Sequence, residues 1–535
     1  MTKFYIADPV HINKKNFGNL YDFFEDTKSN FFMNEDRTHW MGAFGEYSEF
    51  SELLSSEVEL LSGMNDDELF DFTALEVNVF KSARAEILSL LIKHPLLIDR
   101  KLPSNIEELF SLLLDVDRQI VVLNMAAAVQ WIKFWSASIK SQNPKFVLVF
   151  SGSLIYARTL IEVLKNSAPR CFVLESFFTG TDNYIEEKYE PIANNSNLKY
   201  LAYYKKLGSN EGAEERDRSR NKAINKIIQS ANKNVTQPAE NNAPLFANSN
   251  ETILIGGQVL NDFSLLENRG VGINSLVFYK ELIRELLQQT NLNVIFKAHP
   301  WERHKTNLLN SVTLDALRDF LASLEDASSF DGRLLLLENY NIKSLFKQTT
   351  YVAGINSQSL IEAAFEGFQP IQFGDAFYGQ KGFTSDYQIA DVASFVQDIN
   401  ARKVPSRLGI EGYRSYETFI TKALQFSLVS AFPSGKAILR STFTPPPHVA
   451  IAKAGGKAAT PAARLAQQAS TPAVAKLPTE AASVAEPKAE KLKPPISKAK
   501  KKWIKFFKTP RKFFLDSKDK NVRWLYIFFP SFLFK

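Results

Sequence analysis

Lys297 and His299 stand in "NVIFKAHP", where the apolar β-type run Val294–Phe296 gives way to Pro300. The plainer reading is a Lys/His loop pair with a proline ending the strand. The sharper one is an anion site, since an ammonium supplies a point charge and an imidazole a directional donor, both suited to phosphate or carboxylate. A second cluster, "YVAGINSQSLIEAAFEG" (351–367), runs from a β-type stretch through Asn356 and Ser357, good N-cap residues, into a helical stretch. A helix N-terminus after a strand offers free N–H groups to phosphate. Glu362, about one turn inside, could face the same crevice and grip ribose hydroxyls; an ordinary capped helix with a solvated Glu is the alternative. In "GQVLNDFSLLENRGVG" (257–272), Gln258 and Asp262 follow two glycines at a strand end, spaced to enter a cleft, unless Asp262 merely caps a local helix. Glu175 ends "CFVLES", where partial desolvation raises a carboxyl pKa and suits acid/base work.

Such groups act together only if strand ends gather them. Eight runs read as strands: "QIVVLNM" (119–125), "KFVLVFSG" (145–152), "RCFVLES" (170–176), "ETILIGGQ" (251–258), "LNVIFKAHP" (292–300), "LLLLEN" (334–339), "TYVAGIN" (350–356) and "QPIQFGD" (369–375). Helical patterns such as "LIYARTLIEVLKN" and "SLVFYKELIRELLQQT" separate them. Near-continuous apolar strands alternating with helices predict α/β architecture with parallel sheets covered on both faces. The polar stretch 208–242 interrupts the alternation and suggests a boundary near residue 245, between two Rossmann-like halves. Ligands of such folds bind at the carboxyl ends of strands, in the crevice between halves.

Composition narrows the function. At 535 residues the chain is too long for one core. One cysteine, Cys171, excludes an intrachain disulfide and a cysteine-based zinc site, and fits a reducing compartment. The N-terminal residues lack the apolar core of a signal peptide, and no stretch approaches the ~20 apolar residues of a membrane span. The net charge of +6 is uneven: residues 498–535 hold twelve Lys/Arg against two Asp, and 444–497 seven against three Glu, leaving about −8 on 1–443. An acidic body argues against nucleic acid as a partner. "DVD" (Asp115–Asp117) precedes a predicted strand instead of ending one, His11, His39, His94, His304 and His448 show no metal-ligand spacing, and neither a Walker loop nor G-x-G-x-x-G occurs.

The order strand–Glu ("VLES"), "GQV-x-x-D-x-S", "K-x-HP", "NS-x-x-x-x-EA" and "G-x-x-x-Y-x-x-x-GFT" across roughly 120–390 resembles the bacterial capsule polysaccharide biosynthesis family that contains the β-Kdo transferases. The resemblance implies a GT-B-like pair of Rossmann-type domains facing a cleft, 1–245 on the acceptor side (1–118 an unassigned helical region) and 246–443 binding the nucleotide-sugar. It implies a CMP-Kdo donor without a metal or other cofactor, held by Gln258, Lys297, His299, Asn356, Ser357, Ser359 and Glu362. Asp262 would be the nucleophile of a retaining double displacement, and Glu175 the base for the acceptor hydroxyl. Leu360 stands where the family often has a small residue, and 1–118 matches nothing in the pattern. Another nucleotide-linked sugar, or a non-catalytic assembly or export factor on the same fold, are the competing expectations.

Residues 444–497 are rich in Ala, Pro and Lys and read as a flexible, disordered linker. The tail 498–535 interleaves basic and aromatic side chains, Lys501, Lys502, Trp503, Phe506, Phe507, Arg511, Lys512, Phe513, Phe514 and Trp524 among them. That mixture suits the interface of an anionic membrane, about 1 kcal/mol per basic residue. Its core resembles a segment that recurs in capsule and surface-polysaccharide enzymes. The expected location is the cytoplasmic face of the membrane, beside a lipid-linked saccharide acceptor and other capsule-assembly enzymes; a helix docked on the body or a partner is the alternative.

Overall fold

Short, nearly all-apolar segments build the centre of the protein, and in the computed structural model they form two six-stranded sheets. The structure describes residues 3–34, 46–229, 237–300, 302, 311–324, 330, 332–431 and 435–443. The linker and the basic-aromatic tail lie outside them. Among the described residues no helix is long and apolar enough to cross a membrane.

The first sheet takes β1 (Lys3–Ile6), β2 (Asn30–Met33), β5 (Phe146–Phe150), β6 (Arg170–Ser176), β7 (Asp182–Glu187) and β14 (Val429–Ser430), in the order β14-β7-β6-β5-β1-β2. β2, β1, β5 and β6 are parallel, whereas β7 and β14 run antiparallel to their neighbours. A small hairpin, β3 (Thr73–Ala74) with β4 (Val77–Asn78), stands apart. The second sheet takes β8 (Thr252–Gly256), β9 (Asn293–Lys297), β10 (Leu334–Leu337), β11 (Tyr351–Gly354), β12 (Ile371–Gln372) and β13 (Ser385–Asp386), all parallel, ordered β10-β9-β8-β11-β12-β13. This is the α/β pair of Rossmann-type sheets expected from the sequence.

Strand alternation explains why both faces of the first sheet are covered. Tyr5, Val147 and Val149 join the core that includes the helices Val79–Leu91, Ile106–Gln142 and Ile155–Lys165. Phe4, Ile6, Phe146, Leu148 and Phe172 face the other way, into a smaller core closed by the helices Gly18–Asp26 and Gly435–Phe443. Phe443 centres that layer, its ring 4.8 Å from Phe172, 5.1 Å from Phe4 and 5.4 Å from Phe146. Phe443→Ala should therefore destabilise the protein by about 3–5 kcal/mol, read from the midpoint of chemical denaturation.

Three details differ from the sequence reading. "QIVVLNM" is not a strand: 119–125 lie inside the helix Ile106–Gln142. Val121, Val122, Met125, Val129 and Ile132 are buried at helical spacing, and a short apolar run cannot by itself distinguish a buried helix from a strand. Asp117, in "DVD", marks a kink in that helix (φ −161°, ψ 91°) and its carboxylate accepts from Ile120 N at 2.9 Å. The region 1–118 is also not purely helical, because β1 and β2 belong to the first sheet and β1 lies inside it. Finally, β14 and the helix Gly435–Phe443 return from the second half to the first sheet.

Candidate functional site

Parallel strands in the order β9-β8-β11 bring three loops to one edge. β8 leads into Gly257 and Gln258, β9 into Ala298 and His299, and β11 into Asn356 and Ser357. A Cβ on Gly257 would stand 2.7 Å from the Phe296 ring, so only glycine lets β8 turn this close to β9. These loops and the end of β6 enclose a cavity of about 530 Å³. All nine residues selected from the body's sequence line it: Glu175, Gln258, Asp262, Lys297, His299, Asn356, Ser357, Ser359 and Glu362.

Several of the nine brace one another. Gln258 and Asn356, 5% and 4% exposed, form a two-way clasp. Gln258 Nε2 donates to Asn356 Oδ1 (2.8 Å), and Asn356 N donates to Gln258 Oε1 (3.0 Å). Ser264 Oγ also donates to Asn356 Oδ1 (3.0 Å), and Asn356 Nδ2 donates to Ser264 O (3.0 Å). Tyr279 OH accepts from Gln258 N at 3.0 Å. Asn356 is thus a brace and not a helix cap. The helix Ser359–Phe365 has Gln358 at its N-cap position without a side-chain cap bond, while Ser357 Oγ accepts from Ser359 N at 3.3 Å. Asn356→Ala would remove the acceptor shared by Gln258 Nε2 and Ser264 Oγ, leaving Gln258 Nε2 only its 3.2 Å bond to Ser264 Oγ. Losing hydrogen bonds at a buried site costs about 1–3 kcal/mol, and a loss of that size should appear in urea denaturation.

Asp262 does cap a helix, Phe263–Leu266, its carboxylate accepting from Ser264 N at 2.9 Å. The two readings of this residue coexist, since the carboxylate also lines the cavity. The clasp holds Ser264, and Ser264 holds Asp262.

Glu175 approaches from the first sheet. Burial holds its carboxyl above the ordinary value, as the sequence suggested; the charge of Asp262 pushes the same way, and the Ser176 amide, Ser151 and His11 pull it down. The two carboxylates are close enough to feel each other across the cavity. Lys297, 7% exposed, is lowered by desolvation, which the charge of Glu338 opposes. A nearly buried ammonium on a cavity wall favours an incoming anion. The His299 loop is braced by Glu302, which is fully buried: Glu302 N donates to His299 O (3.1 Å), while Thr313 Oγ1 donates to its carboxylate (2.6 Å).

Sequence reasoning missed the contacts that close the cavity from the first half. Phe178 N donates to Gln358 Oε1 (3.1 Å), Phe377 N to Asn194 Oδ1 (2.8 Å), and Lys199 pairs with Asp375 (3.0 Å). In the "G-x-x-x-Y-x-x-x-GFT" segment, Tyr378 OH donates to Ser357 O (2.7 Å) and Lys381 Nζ to Lys199 O (3.2 Å). Burial brings the Lys381 pKa down to about 8. Only the motif signalled these residues; their partners are too distant in sequence to read. Among the described residues no group of three or more His, Cys, Asp or Glu could hold a metal ion.

Fold and cavity together define a two-sheet α/β protein with polar side chains gathered around a cavity at its strand ends. Residues 179–404, less than half of the chain, match the family described as "Capsule polysaccharide biosynthesis protein", the family that the motifs resembled. Among solved structures, two from Thermosulfurimonas dismutans KpsC are similar. The beta Kdo 2,4 transferase is 17% identical over 52% of this chain and 80% of that one, with a TM-score of 0.37. The beta Kdo 2,7 transferase is 13% identical over 58% and 89%, with a TM-score of 0.35. An S. aureus MnaA–UDP co-structure is 10% identical over 82% and 94%, with a TM-score of 0.31. No curated protein matches the chain.

Proposed function

We propose that the protein is a glycosyltransferase of capsule assembly that moves Kdo from CMP-Kdo to a membrane-lipid-linked saccharide with retention. The observation that carries this reading is the pairing of two carboxylates, Asp262 and Glu175, which line one cavity from opposite sheets with Lys297 and His299 alongside. In this scheme the donor phosphate meets Lys297 and His299, whose charge and N–H take the place a metal would fill, so no metal or other cofactor is required. Ser357 and Ser359 offer hydroxyls to the nucleotide, and Glu362 takes the ribose. Gln258 and Asn356 serve the donor by fixing the loop that carries Asp262.

The Asp262 carboxylate attacks the anomeric carbon, and CMP leaves with the bonding electron pair. The acceptor hydroxyl then attacks the sugar–Asp262 ester, its proton passes to Glu175, and the Asp262 carboxylate is released. Two inversions give net retention. We place the reaction at the cytoplasmic face of the membrane, with the tail 498–535 as the peripheral anchor.

The test offers the full-length protein CMP-Kdo, CMP-sialic acid and UDP-sugars with a capsule-lipid acceptor. Release of CMP from CMP-Kdo alone supports the donor assignment. Release from another donor removes Kdo but keeps the transferase, and silence on every donor without nucleotide binding removes the enzyme.

A further inference from the structure

His11 and Asp8 take no part in the scheme above, yet they stand at the same sheet edge as Glu175. The strand order β6-β5-β1 sets the carboxyl ends of these strands side by side, so Glu175, Ser151 and Asp8 follow one another along one edge. Asp8 is 0% exposed. Its carboxylate accepts from His11 Nδ1 at 2.7 Å, from His11 N at 3.2 Å and from the Tyr156 hydroxyl. A carboxylate accepts and does not donate, so the hydrogen of a neutral His11 ring sits on Nδ1 and Nε2 keeps its lone pair. The ring lies flat on Phe150, centroids 4.5 Å apart and planes 6° from parallel. Two independent contacts therefore fix its orientation, and the side chain remains 31% exposed.

The loop beneath is equally constrained. Tyr21 OH donates to Ile12 O (2.7 Å), and Asn16 Nδ2 donates to His11 O (2.9 Å). Between His11 and Glu175 the backbone of Ser151 adopts a left-handed conformation (φ 58°), unusual for a residue other than glycine and a mark of functional positions. Its hydroxyl donates to the Glu175 carboxylate, and His11 lies near that carboxyl. A held imidazole with one outward acceptor atom, an aromatic ring under it and a hydroxyl beside a base form a surface for a polyhydroxylated ring.

We propose that the Asp8–His11 dyad is an acceptor-binding subsite: His11 Nε2 accepts a hydrogen bond from a saccharide hydroxyl neighbouring the one that attacks, and so presents the attacking hydroxyl to Glu175. Asp8 is the positioning residue that sets the ring's tautomer and direction. The proposal rests on the transferase reading, and it concerns only the second of the two displacements.

That division supplies the test. Full-length wild type, His11→Ala, His11→Gln and Asp8→Asn are given CMP-Kdo with and without a capsule-lipid acceptor. CMP release, the sugar adduct by intact mass and the transferred product are followed. The expected result is adduct formation at the wild-type rate in every variant, which also reports a correctly folded donor site. Transfer should fall about 100-fold in His11→Ala and Asp8→Asn, with a raised acceptor KM, and His11→Gln, which retains an acceptor atom, should recover part of the loss. Unchanged transfer in His11→Ala overturns the proposal, as do equal losses of adduct and transfer, or a Gln variant no better than Ala. A wild type that forms no adduct, releases no CMP and transfers no sugar overturns the transferase reading itself, and the subsite with it.

Discussion

Asp262→Asn should abolish sugar transfer, by roughly 10⁴-fold or more, while nucleotide still binds. Loss of the nucleophile removes a bond-forming partner, and knock-outs of that kind are among the largest single-residue effects in enzymes. Asparagine keeps the size and the cap, because its side-chain oxygen can still accept from Ser264 N, so the helix Phe263–Leu266 should survive. Binding of CMP by calorimetry should therefore match wild type, while the adduct mass shift disappears. Full turnover by this variant would remove Asp262 from the mechanism.

The second large effect is expected at the opposite wall. Glu175→Gln should leave the first displacement intact and slow the second by about 10²–10⁴-fold, the range for loss of a general base. The adduct should then accumulate, which an Asp262 variant can never show. Glu175 carries a prediction for pH as well. A base must be ionised, and burial holds this carboxyl above its usual range. Transfer should rise with pH through that elevated pKa, so the acid limb lies above the ~4.3 of an ordinary Glu. Glu175→Gln should flatten the limb, and a wild-type rate already independent of pH near 4 would overturn the assignment.

How far the sequence reached depended on whether a signal was local. Strand ends in the second half were legible because buried parallel strands are near-continuous apolar runs, and the residues after them stand out by type: Lys297 after Phe296, Asn356 after Ile355. The gathering of nine candidates around one cavity follows from the strand order, which the sequence only implied. The run 119–125 failed because its apolar density suits either a strand or a buried helix. β1 escaped because four residues, "KFYI", carry too little pattern. The clasp between Gln258 and Asn356 joins residues nearly a hundred positions apart, and nothing local predicts that two polar side chains will satisfy each other instead of pointing at a ligand. His11 carries no signal in the sequence, since its partner Asp8 is recognisable as such, and its ring neighbour Phe150 meets it, only in the folded chain.

The return of β14 and the helix Gly435–Phe443 to the first sheet has a mechanical meaning. The backbone passes between the two halves twice, once between β7 and β8 and again before β14. A single crossing would permit a swivel, whereas two crossings act as paired pins and leave rotation about the line through them as the easy motion. Opening and closing of the cleft should then follow one arc, in which Glu175 and Asp262 separate and re-engage along a fixed path. Ending the chain near residue 245 would take away both pins and, with Phe443, the cover of the first sheet's outer core.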